Sequence, residues 1–109
     1  MQMTKPNIWT IYSTFSTRAE ALSVAHNLVG KKLIACANIH DNAISVYCWQ
    51  GAVTEESEAI LTAKTSAEKL QAAMDEIKRL HTYEVPCIVA YPAAAGLPEF
   101  LQWIADETL

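Results

Sequence analysis

An α+β sandwich of the ferredoxin-like kind, βαββαβ with an additional C-terminal helix, is what this chain predicts. Two observations carry that prediction. Apolar residues recur first at strand and then at helix spacing, in the order strand, helix, strand, strand, helix, strand, followed by a short helical run. Each of the two longer helical runs also opens with a threonine and, three residues on, a glutamate, the pattern that satisfies the free N–H groups of a helix start. A third observation sets the chain apart from the plain fold. Its two central strands form an extended hairpin, longer than a sheet of this size needs.

Ile8 to Phe15 is β-branched and aromatic, and reads as the first strand. Thr17-Arg18-Ala19-Glu20 caps the first helix, Leu22, Ala25, Leu28 and Val29 line it, and Gly30 is the expected stop. Leu33 to Ile39 reads as a second strand, broken by a turn at Asp41-Asn42 and resumed from Ile44 to Trp49. Gln50-Gly51 marks a hairpin bend. Val53 to Thr65 returns, with an acidic patch at Glu55, Glu56 and Glu58. Thr65-Ser66-Ala67-Glu68 predicts the second cap, before a helix faced by Leu70, Ala73, Met74, Ile77 and Leu80. Cys87 to Tyr91 is the last strand, closed by Pro92, and Pro98 opens a final helix with Phe100, Leu101 and Ile104 on one side.

Composition narrows the function. The 109 residues suit one domain spanning 1–109, and 51% apolar content excludes intrinsic disorder. A net charge of −4 with scattered basic residues argues against nucleic acid as a partner. No apolar run reaches the length of a membrane span. Residues 1–7 are polar, which predicts a flexible N-terminus and no signal or transit peptide. Cys36, Cys48 and Cys87 are odd in number and widely spaced, unlike a secreted disulfide framework. They read as reduced thiols buried in strands of a cytoplasmic protein, with a chemical role as the alternative. No nucleophile elbow, phosphate-cradling glycine loop or H-E-x-x-H helix is present, so an enzyme, such as a small hydrolase, is the lesser reading.

The segment His81-Thr82-Tyr83-Glu84-Val85-Pro86-Cys87 holds the densest chemistry. An imidazole, a phenol, a carboxylate and a thiol share seven residues stiffened by a proline, where a connection is usually small and polar. Metal or small-ligand binding is the first suggestion. The long arm carrying Tyr47 and Trp49 would be an aggregation hazard if left bare, which predicts a closed oligomer.

Four motifs in order carry a family resemblance: Ala35-Cys36-Ala37-Asn38-Ile39, Ser45-Val46-Tyr47-Cys48-Trp49-Gln50-Gly51, Leu61-Thr62-Ala63-Lys64-Thr65 and His81-Thr82-Tyr83-Glu84-Val85-Pro86. With the closing Trp103-Ile104 they resemble the CutA family of divalent-cation tolerance proteins. The resemblance implies a homotrimer like that of the PII signalling proteins, with strands paired across subunits. It also implies a cytoplasmic role in tolerance of copper and other divalent cations, without an organic cofactor. A PII-like signalling or scaffold trimer, holding a small ligand or partner protein in clefts between subunits, is the alternative. Cys87 stands where the family often has a carboxylate or amide.

The candidate metal ligands are His81, Glu84 and Cys87, at three-residue intervals, with Cys36 from a neighbouring strand. Imidazole and thiolate together suit copper. Each has a plainer reading. His81 could cap the preceding helix, Glu84 could pair with Lys64 at a subunit boundary, and both thiols could fill the core. Tyr47, Trp49, Lys64 and Tyr83 are assigned to an interface or ligand cleft, with Trp49 as an anchor against a partner. His26 and His40 lack partners at ligand spacing and read as solvated, as does Arg18.

Overall fold

A computed structural model describes residues 6–109. Strand β1 (Ile8–Phe15) leads into helix α1 (Arg18–Gly30), then β2 (Cys36–Trp49), β3 (Ala52–Ser66), helix α2 (Ala67–Leu80), β4 (Ile88–Pro92) and α3 (Pro98–Glu107). The four strands make one sheet in the order β2-β3-β1-β4. Helices α1 and α2 each carry the chain across one intervening strand, so every neighbouring pair is antiparallel. This is the predicted ferredoxin-like βαββαβ arrangement with its extra helix. Of the segment expected to be flexible, residues 1–5 lie outside the described residues, and the Asn7 carbonyl accepts from the Ala67 N–H at 2.9 Å.

Alternation within the strands divides the apolar residues between two clusters. Ile11 and Phe15 of β1 and Ala59, Leu61 and Ala63 of β3 meet Val24 and Leu28 of α1 and Ala73 and Ile77 of α2. Ile8, of opposite parity in β1, joins Ala35 with Leu101 and Ile104 of α3. The remaining helix-free surface carries cross-strand rows. One runs Cys36, Lys64, Thr10, Tyr91 and the next Asn38, Thr62, Tyr12, Val89. Tyr91 is 56% exposed and Val89 38%, an apolar character unusual for a solvated face.

Three local readings need correction. Thr65 does not cap α2. β3 runs on to pair Ser66 with Ile8, so Thr65 is fully buried in the sheet and its hydroxyl donates to the Leu33 carbonyl at 2.7 Å. Ser66 takes the N-cap position without a side-chain hydrogen bond. Gly30 does not stop α1 by a left-handed turn either; it is the last helical residue, and Lys32 adopts the positive φ of 60°. The first cap is half as drawn. Thr17 Oγ1 accepts from the Glu20 N–H, whereas the Glu20 carboxylate accepts from Thr82.

Asp41-Asn42 is a bulge rather than a break in β2. His40 faces Ile60 and Ala43 faces Glu58, so two residues oppose one. Asn42 is left-handed at φ 59°, and its N–H donates to the Asp41 carboxylate at 2.9 Å. The bulge shifts the register by one, which reverses the faces of everything beyond it. Without it Val46 would stand opposite Thr54; with it Tyr47 does. Gln50 and Gly51, at φ 49° and 80°, then close the hairpin with the two-residue turn whose twist suits paired strands.

Helices α1 and α2 are clamped at one end by Glu76, which accepts from Lys31 and from Arg79. Those bonds, Arg79 first, hold its carboxyl down at about 2 from an ordinary 4.5. A depressed carboxylate stabilises the fold above its unfolded pKa, and that contribution is lost as pH falls from about 4.5 towards 2. Lys31 and Arg79 are 50% and 62% exposed, so solvent keeps the effect modest. Urea midpoints of wild type and Glu76→Gln should therefore differ at pH 6, differ less at pH 3, and converge only towards pH 2.

Candidate functional site

The register of the hairpin places Tyr47 and Trp49 of β2 on the same side as Thr54, Glu56 and Glu58 of β3. This part of the arm projects past β1, which pairs with β3 only from Ala59 onward. The segment between α2 and β4 closes the other side with Tyr83, Glu84, Val85 and Cys87. Together they enclose a cleft of about 550 Å³. Its rim is acidic, from Glu56, Glu58 and Glu84, and no lysine, arginine or histidine lines it among the described residues.

His81 holds the segment in place. Its ring stacks on Phe15 at 4.3 Å and 14°, and lies against Tyr83 at 4.7 Å. Nδ1 accepts from the Tyr83 N–H at 3.1 Å, which leaves the proton on Nε2, and Nε2–H donates to the Thr14 carbonyl at 2.7 Å. Both ring nitrogens are thus in use within the chain. Neither bond is to a carbonyl of α2, so the helix-cap reading of the imidazole does not hold; only the backbone N–H of His81 reaches back, to Lys78. Ser13 Oγ donates to the Cys87 carbonyl at 2.7 Å and fixes the far end of the segment.

Tyr83 spans the cleft wall and donates its hydroxyl to Glu58 Oε2 at 2.8 Å. Burial, then that hydrogen bond and the charges of Glu58, Glu56 and Glu20, push the phenol well above its ordinary range. Partial burial and then Glu56 raise Tyr47 in the same way. Burial followed by the Glu58 charge raises the Cys87 thiol. The cleft is a region of concentrated negative potential.

Of the predicted metal donors, Glu84 and Cys87 line this cleft and His81 lies behind it, tied by its own hydrogen bonds. Cys36 stands elsewhere, opposite Lys64 where β2 pairs with β3. Among the described residues no three His, Cys, Asp or Glu side chains group to hold a metal ion. The ion pairs found among them are the two at Glu76, and the expected Lys64–Glu84 pair is not one of them. The thiols are not core residues: Cys48 and Cys87 are exposed and Cys36 is half-buried. Of the interface and cleft candidates, Tyr47, Trp49 and Tyr83 share the cleft and Lys64 does not. His26, His40 and Arg18 are exposed, as expected. Glu56 and Glu58 were legible only as an acidic patch; their place on the same side as Tyr47 follows from the bulge and turn.

A family model described as CutA1 divalent ion tolerance protein matches residues 9–107. The chain belongs to the CutA1 family. The divalent-cation tolerance protein CutA of Archaeoglobus fulgidus is 42% identical over 99 residues, covering 91% of this chain and 95% of the relative. The crystal structure of CutA1 from Ehrlichia chaffeensis superposes with a TM-score of 0.92 at 33% identity, covering 97% of this chain and 99% of that one. The solved Archaeoglobus fulgidus CutA, described as periplasmic, gives a TM-score of 0.89 at 38% identity over 94% and 99% of the two chains. CutA1 membership accounts for the fold and for the order of all four motifs. No helix among the described residues is long and apolar enough to cross a membrane.

Proposed function

We propose that the chain acts as a cytoplasmic homotrimer in divalent-cation tolerance, without catalysing a reaction, and takes copper or a similar cation as cargo at the cleft. The observation that carries this reading is the meeting of Glu84 and Cys87, an oxygen and a sulfur donor, at a cleft whose other charges are carboxylates. An acidic mouth concentrates cations before any coordination occurs. Cys36 and Lys64 pair with each other away from the cleft, so any contribution from them would come from a neighbouring subunit of the proposed trimer. His81 would join the donors through Nδ1 only by releasing the Tyr83 N–H, its Nε2–H staying on the Thr14 carbonyl.

Copper titration of the purified assembly tests this. Cys87→Ser should weaken copper binding by about tenfold or more, because a hydroxyl is a poor ligand for soft copper. His81→Ala should leave copper affinity within about twofold of wild type, roughly 0.4 kcal/mol. Unchanged affinity in Cys87→Ser would sink the site. A large loss in His81→Ala with the oligomer intact would place the imidazole among the ligands after all.

The cleft itself favours a second reading, a PII-like signalling or scaffold trimer that holds a small ligand. Its volume of about 550 Å³ lies within the range of small-molecule sites.

A further inference from the structure

The cleft wall formed by residues 82–86 hangs on one imidazole. At its far end Ser13 Oγ donates to the Cys87 carbonyl, and the hydroxyls of Thr82 and Tyr83 reach Glu20 and Glu58. Its main chain is tied at one place among the described residues, where the Tyr83 N–H donates to His81 Nδ1 at 3.1 Å. An N–H can donate only to an unprotonated ring nitrogen. The other nitrogen is itself a donor, Nε2–H to the Thr14 carbonyl at 2.7 Å. The two bonds therefore respond oppositely to a second proton on the ring. Nε2–H keeps its acceptor and, from a charged ring, binds it more strongly. Nδ1 becomes a donor aimed at a donor, and the bond to Tyr83 is lost. His81 is half-buried rather than sealed, so a proton from solvent can reach it.

The surrounding elements bring charges of both signs to this corner. α1 supplies Glu20, on the Thr82 hydroxyl, and β3 supplies Glu58, on the Tyr83 hydroxyl, with Glu56 beyond it. These carboxylates favour a charged ring. Lys78 and Arg79, in the last turn of α2, oppose it, although Arg79 is paired with Glu76. β1 carries no charged side chain; its titratable group is Tyr12, and that of β4 is Tyr91. We propose that His81 is a pH-sensitive latch: neutral, it holds the Tyr83 main chain and the cleft wall against β1, and protonated, it releases that wall. The ring itself stays in place, because its Thr14 bond survives and a cation is attracted to the face of Phe15, 4.3 Å away. An imidazole ordinarily changes charge between about pH 5 and pH 8, so the wall is held at the upper end and freed towards the lower. The Tyr83 phenol and Cys87 thiol, both raised above their ordinary ranges, stay protonated across that interval. The latch belongs to the wall and operates whatever the cleft takes.

Proton resonances of the wild-type assembly, followed from about pH 8 to about pH 5, test the latch. The Tyr83 amide proton should move upfield as its hydrogen bond is lost, with the same midpoint as the His81 ring protons. Its protection against exchange, corrected for the pH dependence of a free amide, should fall by about tenfold or more across the same interval. His81→Asn is the control. Its amide oxygen stands where Nδ1 does, can accept from the N–H two residues on, and does not titrate. In that variant the protection of the Tyr83 amide should stay within about twofold over the whole interval. A Tyr83 amide unmoved while the His81 ring titrates would overturn the proposal. So would a His81 ring that stays neutral down to about pH 5. An equal response in His81→Asn would assign the change to another group and overturn it as well. The wild-type titration decides the matter even where the variant fails to fold.

Discussion

Phe15→Ala should destabilise the protein by about 3–5 kcal/mol, the range for truncating a buried aromatic, and should loosen the His81 segment as well. Phe15 is 1% exposed at the end of β1, inside the cluster that joins both helices to the sheet. Its other face carries the stacked imidazole of His81 at 4.3 Å. Removing the ring therefore opens a cavity in the core and withdraws the surface on which His81 rests. The global loss would appear as a lower urea midpoint at fixed subunit concentration. The local loss would appear as faster exchange of the Tyr83 amide, which donates to His81 Nδ1. Phe15→Leu separates the two, because it keeps most of the apolar volume and removes the stacking partner. It should restore much of the stability while the Tyr83 amide stays fast. An alanine variant within about 1 kcal/mol of wild type would show that this corner of the core is far looser than its burial indicates.

Much of the fold was legible because local signals and tertiary demands agree. β1 begins and ends where its β-branched run does, and Thr17 does cap α1. The misreadings arise where a tertiary contact claims a residue that also fits a local pattern. Thr65 fits a helix cap, but the sheet takes it first and uses its hydroxyl on Leu33. Asp41-Asn42 fits a turn, but pairing on both sides makes it a bulge. The exposed thiol of Cys48 has a related origin. Apolar neighbours in a strand predict burial only if the strand has cover on both faces, and the arm beyond Ala59 lacks a third strand. Of the site, the 81–87 segment and the two hairpin aromatics could be singled out by type. The meeting of Tyr83 with Glu58, twenty-five residues away, leaves no periodic trace. Nor does composition reveal the one-residue register shift that brings Tyr47 and Trp49 to the same side as Glu56 and Glu58.

Trp49→Ala should leave the subunit core intact and weaken assembly by about 2–4 kcal/mol for each truncated ring, the range for an aromatic anchor at an interface. In a single subunit Trp49 is 63% exposed, and Ile44, Val46 and Val53 on the same arm are 66%, 63% and 80% exposed. A two-stranded ribbon carrying that much apolar surface is marginal on its own in water. Cover from a neighbouring subunit would resolve both the exposure and the marginal pairing. Trp49 also lines the cleft. The change should raise the dissociation constant by a factor of roughly 30 to 1,000, since each 1.4 kcal/mol is tenfold. Light scattering on serial dilution is the measurement. Wild type should keep a trimer mass at micromolar subunit concentration, where the alanine variant should fall towards a monomer with near-native circular dichroism. A monomeric wild type would remove the trimer. A variant that stays trimeric, with the same thermal unfolding as wild type, would place the indole in solvent and leave the cleft as its only use.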